Sequence, residues 1–206
     1  MDYDTYISLK IIITGDTNVG KSTIFKRIQN KEINMYKEPS TIGMDFARMD
    51  YIIDDKRIKV HLWDTAGQEK YQCIIRSYFR EICGVILMFD VSKTKSFNNL
   101  KKWLDLIVEE KRCKHDHQIL LFGNKNDLPN VINSIELNNF IKEHNMIYHE
   151  ISSSNNNLEE IFKAFVSNII QNENIMDCKG VKDISDENKR VTLLMKETKN
   201  QYCCFN

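Results

Sequence analysis

The segment Gly15-Asp16-Thr17-Asn18-Val19-Gly20-Lys21-Ser22 constrains this 206-residue chain more than any other. It reads G-x-x-x-x-G-K-S and lies between two legible elements. Before it, Ile7 to Ile13 has the β-branched, apolar character of a buried strand; after it, Ser22 to Asn30 reads as a helix. The glycines let the backbone curl so that its N–H groups point inward, and the start of the helix adds partial positive charge. Such a loop is built to receive phosphate oxygens. Lys21 brings a full charge to β- and γ-phosphates, and Ser22 offers a hydroxyl to Mg²⁺. Gly15 through Ser22, with the adjoining Thr23, are therefore candidate nucleotide-binding residues. The loop alone does not choose between ATP and GTP.

The rest of the chain fits that start. Asp45 to Ile53 and Lys56 to Trp63 read as strands joined at Asp54-Asp55, a hairpin signal. Lys70 to Arg80 reads as helical, and Gly84 to Asp90 is a continuous apolar run of strand length. Phe97, Leu100, Leu104 and Ile107 recur at helical spacing; Gln118 to Phe122 is a further short strand; Ser134 opens a helix. Met146 to His149 is a last strand, and Leu158, Ile161, Phe162, Phe165 and Ile169 give an amphipathic closing helix. Strands alternating with helices predict an α/β fold, a mostly parallel sheet covered on both faces, whose ligands bind beyond the carboxyl ends of the strands. Residues 1–172 form one expected domain. From 173 to 206 the composition turns polar, apart from the short apolar patch Val191 to Met195, and reads as a flexible tail.

Composition narrows the class. With 29 basic and 29 acidic residues, the chain gives no global reason to bind nucleic acid. Of its six cysteines, Cys73, Cys83 and Cys113 are scattered and Cys203 and Cys204 are adjacent. The acidic start Met1-Asp2-Tyr3-Asp4 lacks the apolar run of a secretory signal, so a reducing, cytosolic setting is expected. Asp2 excludes N-myristoylation, and no stretch is apolar enough to span a bilayer.

Two further motifs fall just past strand ends. Asn124-Lys125-Asn126-Asp127 follows Ile119-Leu120-Leu121-Phe122. Guanine presents N1–H and N2–H₂ as adjacent donors, and the Asp127 carboxylate can accept both; adenine lacks that pair and would leave a carboxylate unsatisfied. Asn124 can tie this loop to the phosphate cradle. The run Trp63-Asp64-Thr65-Ala66-Gly67-Gln68-Glu69 ends the second hairpin strand. There Asp64 is placed to hold Mg²⁺ through water, Gly67 to present its N–H to a γ-phosphate, and Gln68 to orient an attacking water. Thr41, in Pro39-Ser40-Thr41-Ile42-Gly43, can bring a second hydroxyl to Mg²⁺. Two loops ordered by one phosphate make a switch, because hydrolysis removes the contact they share.

On these residues the chain resembles the Ras superfamily over about residues 1–172, and within it the Rab proteins. The Rab-like segments are Ile42-Gly43-Met44-Asp45-Phe46, Lys59-Val60-His61-Leu62-Trp63, Lys70-Tyr71-Gln72-Cys73-Ile74-Ile75, Tyr78-Phe79-Arg80, Met88-Phe89-Asp90-Val91-Ser92 and the ending Cys203-Cys204-Phe205-Asn206. The resemblance implies the small G-protein fold, a six-stranded sheet with five helices, binding Mg²⁺ with GTP in the on state and GDP in the off state. It implies slow GTP hydrolysis in which Lys21 and Gln68 act, stimulated by a GTPase-activating protein. Exchange factors, Rab effectors, a GDP-dissociation inhibitor and a Rab escort protein are the implied partners of a monomer. It further implies work in vesicle trafficking at the cytosolic face of an intracellular membrane, cycling with the cytosol.

Three positions depart from the family pattern. Ser152-Ser153-Ser154 stands where Ser-Ala-Lys is usual; the Ser153 N–H can still meet the guanine carbonyl, but the lysine that packs beside the base is absent. Ile33 stands where an aromatic covers the guanine edge, with Tyr36 the nearest aromatic, and the loop from Lys21 to Thr41 is one residue longer than usual. Asn18 replaces a common glycine in the cradle. At the other end, Cys203 and Cys204 are candidate sites for two geranylgeranyl groups, since one chain anchors marginally and two anchor stably. The tail would reach roughly 30 Å as a random coil. The competing readings are a nucleotide-loaded scaffold that has lost hydrolysis, a small GTPase of another branch, and a P-loop ATPase or nucleoside kinase, against which Asp127 and the D-T-A-G-Q run argue.

Overall fold

The computed structural model describes residues 5–29, 44–65, 79, 81–109, 117–152, 157–176 and 182–183. In chain order these give β1 (Thr5–Gly15), α1 (Lys21–Ile28), β2 (Met44–Ile53), β3 (Lys56–Thr65), β4 (Gly84–Asp90), α2 (Thr94–Asn98) and α3 (Leu100–Glu109). They continue with β5 (Gln118–Asn124), α4 (Ser134–Glu143), β6 (Ile147–Ile151), α5 (Leu158–Gln171), α6 (Glu173–Met176) and β7 (Lys182–Asp183). The predicted helix over Lys70 to Arg80 and the patch Val191 to Met195 lie outside the described residues.

Six strands form the expected mostly parallel sheet, in the order β2-β3-β1-β4-β5-β6. Only β2 runs against its neighbour, because Asp54 and Asp55 (φ 49° and 57°) turn the chain back in the left-handed conformation that a two-residue hairpin needs. The central strands are buried on both faces, which is why they read as unbroken apolar runs rather than alternating ones. Ile11, Ile13, Ile86, Met88, Leu120 and Phe122 face α1 and α5, where Ile24, Phe25, Phe162, Phe165 and Ile169 complete one core. Ile12, Val85, Leu87, Phe89 and Leu121 point the other way and pack on Trp103, Leu104 and Ile107 of α3 and Leu137 of α4. Burying each of these large side chains contributes about 1.5–3 kcal/mol, so the two layers together fix the sheet between its helices.

Where one helix was predicted from Phe97 to Ile107, the structure has two, α2 and α3, meeting at Asn99. Beyond residue 172 the chain still contributes to the fold. Ile175 is 2% exposed in the α5-side core, and Lys182–Asp183 pairs antiparallel with Thr5 and Tyr6. The pairing lies before the point where β1 meets β3 at Ile7, so a short strand finds open backbone groups there.

The registers bring five strand ends to one edge. Ile13 lies beside Asp64, Gly15 beside Met88, and Asp90, Asn124 and Ile151 lie in a row. The loops that leave this edge build the site.

Candidate functional site

The loop from β1 to α1 has the shape that its glycines predict. Gly15 (φ 141°) and Gly20 (φ 100°) take backbone conformations that disfavour side chains, and Asn18 is left-handed at φ 63°. There is no room for a Cβ at either glycine: at Gly15 it would collide with the Met88 carbonyl, and at Gly20 with the Asn124 side-chain amide. Asparagine is among the residues that tolerate the left-handed region, so Asn18 holds a curl that the common glycine would otherwise supply. α1 begins at Lys21, and Ile24 N–H donates to the Gly20 carbonyl at 3.1 Å.

Lys21 is 6% exposed, and its Nζ donates to the Asp16 main-chain oxygen at 2.7 Å. Burial pushes the ammonium down to about 8, with Asp64 and Asp16 opposing that fall. A buried cation at the centre of a curled loop is strongly biased toward an anionic ligand, which would restore the charge that burial disfavours. Beside it, Ser22 Oγ donates to Asp64 Oδ2 at 2.5 Å, and Thr65 Oγ1 ties the end of β3 to the Ile13 carbonyl at 2.9 Å. A hydroxyl and a carboxylate, both hard oxygen ligands, thus face each other at the foot of the cradle. That donor set fits Mg²⁺, which takes one or two protein oxygens and completes its shell with phosphate and water.

Each side of the cradle is also tied from the base-side loop. Asn124 Nδ2 donates to the Val19 carbonyl at 2.7 Å. Lys125, left-handed at φ 66°, extends its Nζ to the Asn18 carbonyl at 2.8 Å and to Asp90 Oδ2 at 2.7 Å. Burial alone would push the Asp90 carboxyl up; hydrogen bonds from Lys125 and Ser92 outweigh it and hold the group below the usual carboxylate range. Asn126 N–H donates to the Ile151 carbonyl at 3.1 Å, which leaves Asp127 exposed at the mouth and places the buried Ser152 next along the same rim. On the opposite flank, Asp16 points its carboxylate at α3, accepting from Asn99 Nδ2 at 2.7 Å and Trp103 Nε1 at 2.9 Å. Thr17 and Thr23 are half-buried. Thr41, Gly67, Gln68, Ser153, Ser154, Ile33, Tyr36, Cys203 and Cys204 lie outside the described residues.

A cradle, a Ser22–Asp64 pair and the Asn124-Lys125 loop, brought together from the ends of β1, β3 and β5, make one site. The family model of the Ras family matches residues 10–171 and so spans all of it. The chain belongs to the Ras family. It is 40% identical to the Ras-related protein Rab-11B of Dictyostelium discoideum over 156 residues, 74% of this chain and 70% of that one. It is 35% identical to the GTP-binding protein ypt3 of Schizosaccharomyces pombe over 165 residues, 79% of this chain and 76% of that one. Within the Ras family, then, it is a Rab-type small GTPase.

Three residues of this Rab-type site were not singled out in the sequence: Asp90, Asn99 and Trp103. Asp90 carries a signal, since it is the charged residue that ends the apolar run of β4 and is nonetheless buried. Asn99 and Trp103 carry none, because their partner is 83 and 87 residues away along the chain.

Proposed function

We propose that this chain is a molecular switch that binds GTP and GDP, hydrolyses GTP slowly alone and faster with a GTPase-activating protein, and recruits effectors in the GTP state to regulate vesicle trafficking. One observation carries this reading. The loop that carries the buried Lys21 and the Asp64-bonded Ser22 is tied by direct hydrogen bonds to Asn124 and Lys125 of the Asn124-Lys125-Asn126-Asp127 motif.

The chemistry assigned to the pocket is in-line transfer of the γ-phosphoryl group to water. Lys21 and the cradle N–H groups hold the β- and γ-oxygens and stabilise the charge that moves onto the leaving oxygen. Gln68 orients the water whose oxygen forms the new P–O bond, while the bond from the γ-phosphorus to the β–γ bridging oxygen breaks to release GDP and phosphate. Ser22, Thr41 and Asp64 would hold Mg²⁺, which neutralises phosphate charge when bound. Gly67 would sense the γ-phosphate through its N–H. Asn124, Lys125 and Asp127, with the Ser152-Ser153-Ser154 segment, would select guanine. An arginine from a partner would raise the rate by on the order of 10³–10⁵.

The cycle needs an exchange factor to replace GDP, a GDP-dissociation inhibitor and Rab escort protein to handle the tail, and prenyl groups on Cys203 and Cys204 to hold the chain on the cytosolic face of a membrane. No helix among the described residues is long and apolar enough to cross a bilayer. A GTP turnover assay, with and without cytosolic extract, tests the reading. The wild-type protein should turn over slowly and accelerate with extract, and Gln68→Leu should lose both activities. Unchanged hydrolysis by Gln68→Leu would remove Gln68 from its role, and a wild-type protein that binds GTP without ever hydrolysing it would favour the scaffold.

A further inference from the structure

The carboxylate of Asp16 poses a problem that the switch reading leaves open. It sits in the loop that would cradle a polyphosphate, where another negative charge is unfavourable, and beside the lysine that the phosphates need. Its main-chain oxygen receives Lys21 Nζ at 2.7 Å, while its carboxylate is turned outward by two donors on α3 and its start, Asn99 Nδ2 at 2.7 Å and Trp103 Nε1 at 2.9 Å. Trp103 is itself locked in the core between the sheet and α3, so its N–H is a fixed point rather than a mobile arm. Asn99 is held where α2 ends, its N–H bonded to the Lys95 carbonyl at 3.1 Å and its own carbonyl receiving the N–H of Lys102 at 3.0 Å.

We propose that Asn99 and Trp103 are positioning residues for the nucleotide: they clamp the Asp16 carboxylate away from the phosphates and so reserve Lys21 for the ligand. The clamp rests on the guanine-nucleotide switch reading above. Two neutral donors satisfy the carboxylate without cancelling its charge, so geometry rather than neutralisation keeps it from the ligand. Once released, the same carboxylate, whose main-chain oxygen already holds the Lys21 ammonium, is free to compete with the phosphates for it. A second consequence follows from the same bonds. When a phosphate draws Lys21 off the Asp16 carbonyl, the change is felt at Trp103, which directly follows the solvent-facing Lys101 and Lys102 of α3.

The test is a double-mutant cycle on nucleotide release, followed with a fluorescent GDP analogue bound to the full-length chain with Mg²⁺. Trp103→Phe keeps the ring in the core and removes only the N–H; it should speed release about ten- to a hundredfold, the loss expected for one bond to a charged acceptor. Adding Asp16→Ala to Trp103→Phe should slow release again, because the competitor for Lys21 is gone. Asn99→Ala, which leaves the core untouched, should repeat the pattern. In a Trp63→Phe protein Trp103 is the remaining tryptophan, and its emission should change when nucleotide is stripped with chelator, a change that Asp16→Ala abolishes. Equal effects of Trp103→Phe with and without Asp16, or no effect in either background, would overturn the clamp. A wild-type protein that retains no guanine nucleotide would overturn the switch reading itself, a result separate from any difference between variants.

Discussion

Replacing Gly20 by alanine isolates the contact on which the cradle turns. Two costs can be separated. The backbone there stands at φ 100°, and a side chain in the left-handed region costs about 1–2 kcal/mol. The added methyl also meets the Asn124 amide, whose Nδ2 donates to the Val19 carbonyl at 2.7 Å; displacing it leaves buried groups unsatisfied, at about 1–3 kcal/mol. Gly20→Ala should therefore destabilise by about 2–5 kcal/mol, or about 4–20 °C in Tm for a domain of this size. Asn124→Ala alone should cost about 1–3 kcal/mol. In the double variant the collision is gone and only the backbone strain adds to the Asn124→Ala loss, so the combined loss should fall short of the sum of the single losses by about 1–3 kcal/mol. Thermal and urea unfolding of the four proteins, each with the same nucleotide bound, measure this directly. Losses that add within about 0.5 kcal/mol would refute the claim that Gly20 is small because Asn124 must pass over it.

Three other outcomes are expected. Asp90 is a carboxylate held below its ordinary value near 3.8, so its stabilisation is complete above that pH and is lost as pH falls through the lower folded value. Asp90→Asn should remove this part of the acid dependence and cost about 1–3 kcal/mol at neutral pH, read from unfolding curves between pH 3 and 7. Asp127→Asn should lower the preference for GTP over ATP by on the order of 100-fold in a competition assay, because it exchanges a two-acceptor carboxylate for an amide. Cys203→Ser with Cys204→Ser should abolish pelleting with membranes from native cells. Either change alone should leave weak, reversible binding, since a single chain anchors only marginally.

The parts of this molecule that could be read from sequence are those whose cause is local. The buried strands announced themselves because a parallel sheet covered on both faces favours apolar runs such as Ile11-Ile12-Ile13 and Val85-Ile86-Leu87-Met88-Phe89, and the hairpin because two aspartates in a row suit a left-handed turn. The cradle was legible because its glycines are required at fixed spacing by backbone shape. What was hidden is long-range or too short to have a period. The break at Asn99 interrupts a helical pattern without interrupting its apolar spacing, so the sequence shows one helix where the fold has two. The strand of Lys182–Asp183 has only two residues and is defined by its partner, Thr5–Tyr6. Ile175 shows the same limit: one apolar residue in a polar stretch gives no signal, yet a single turn beyond α5 brings it into the core.

Four aspartates ring a pocket argued to bind a highly charged anion, and their fates explain how that is tolerated. Asp16 is committed to Asn99 and Trp103, Asp64 accepts from Ser22, and Asp90 accepts from Lys125 and Ser92. In each case at least one donor (Asn99 and Trp103, Ser22, Lys125) comes from a different element, so the carboxylate serves as a cross-link that fixes where a loop leaves the sheet. Asp127 differs: it is exposed at the rim, with its carboxylate available to a ligand's donors. In the proposed switch, negative charge is thus placed where it builds the frame or would read a base, and Lys21 with the main-chain N–H groups would be left for the phosphates. A pocket arranged in this way gains affinity for a polyanion only while the cross-links hold. Loosening a bond far from the ligand, such as that of Trp103, should therefore weaken nucleotide retention as surely as altering a residue that touches it.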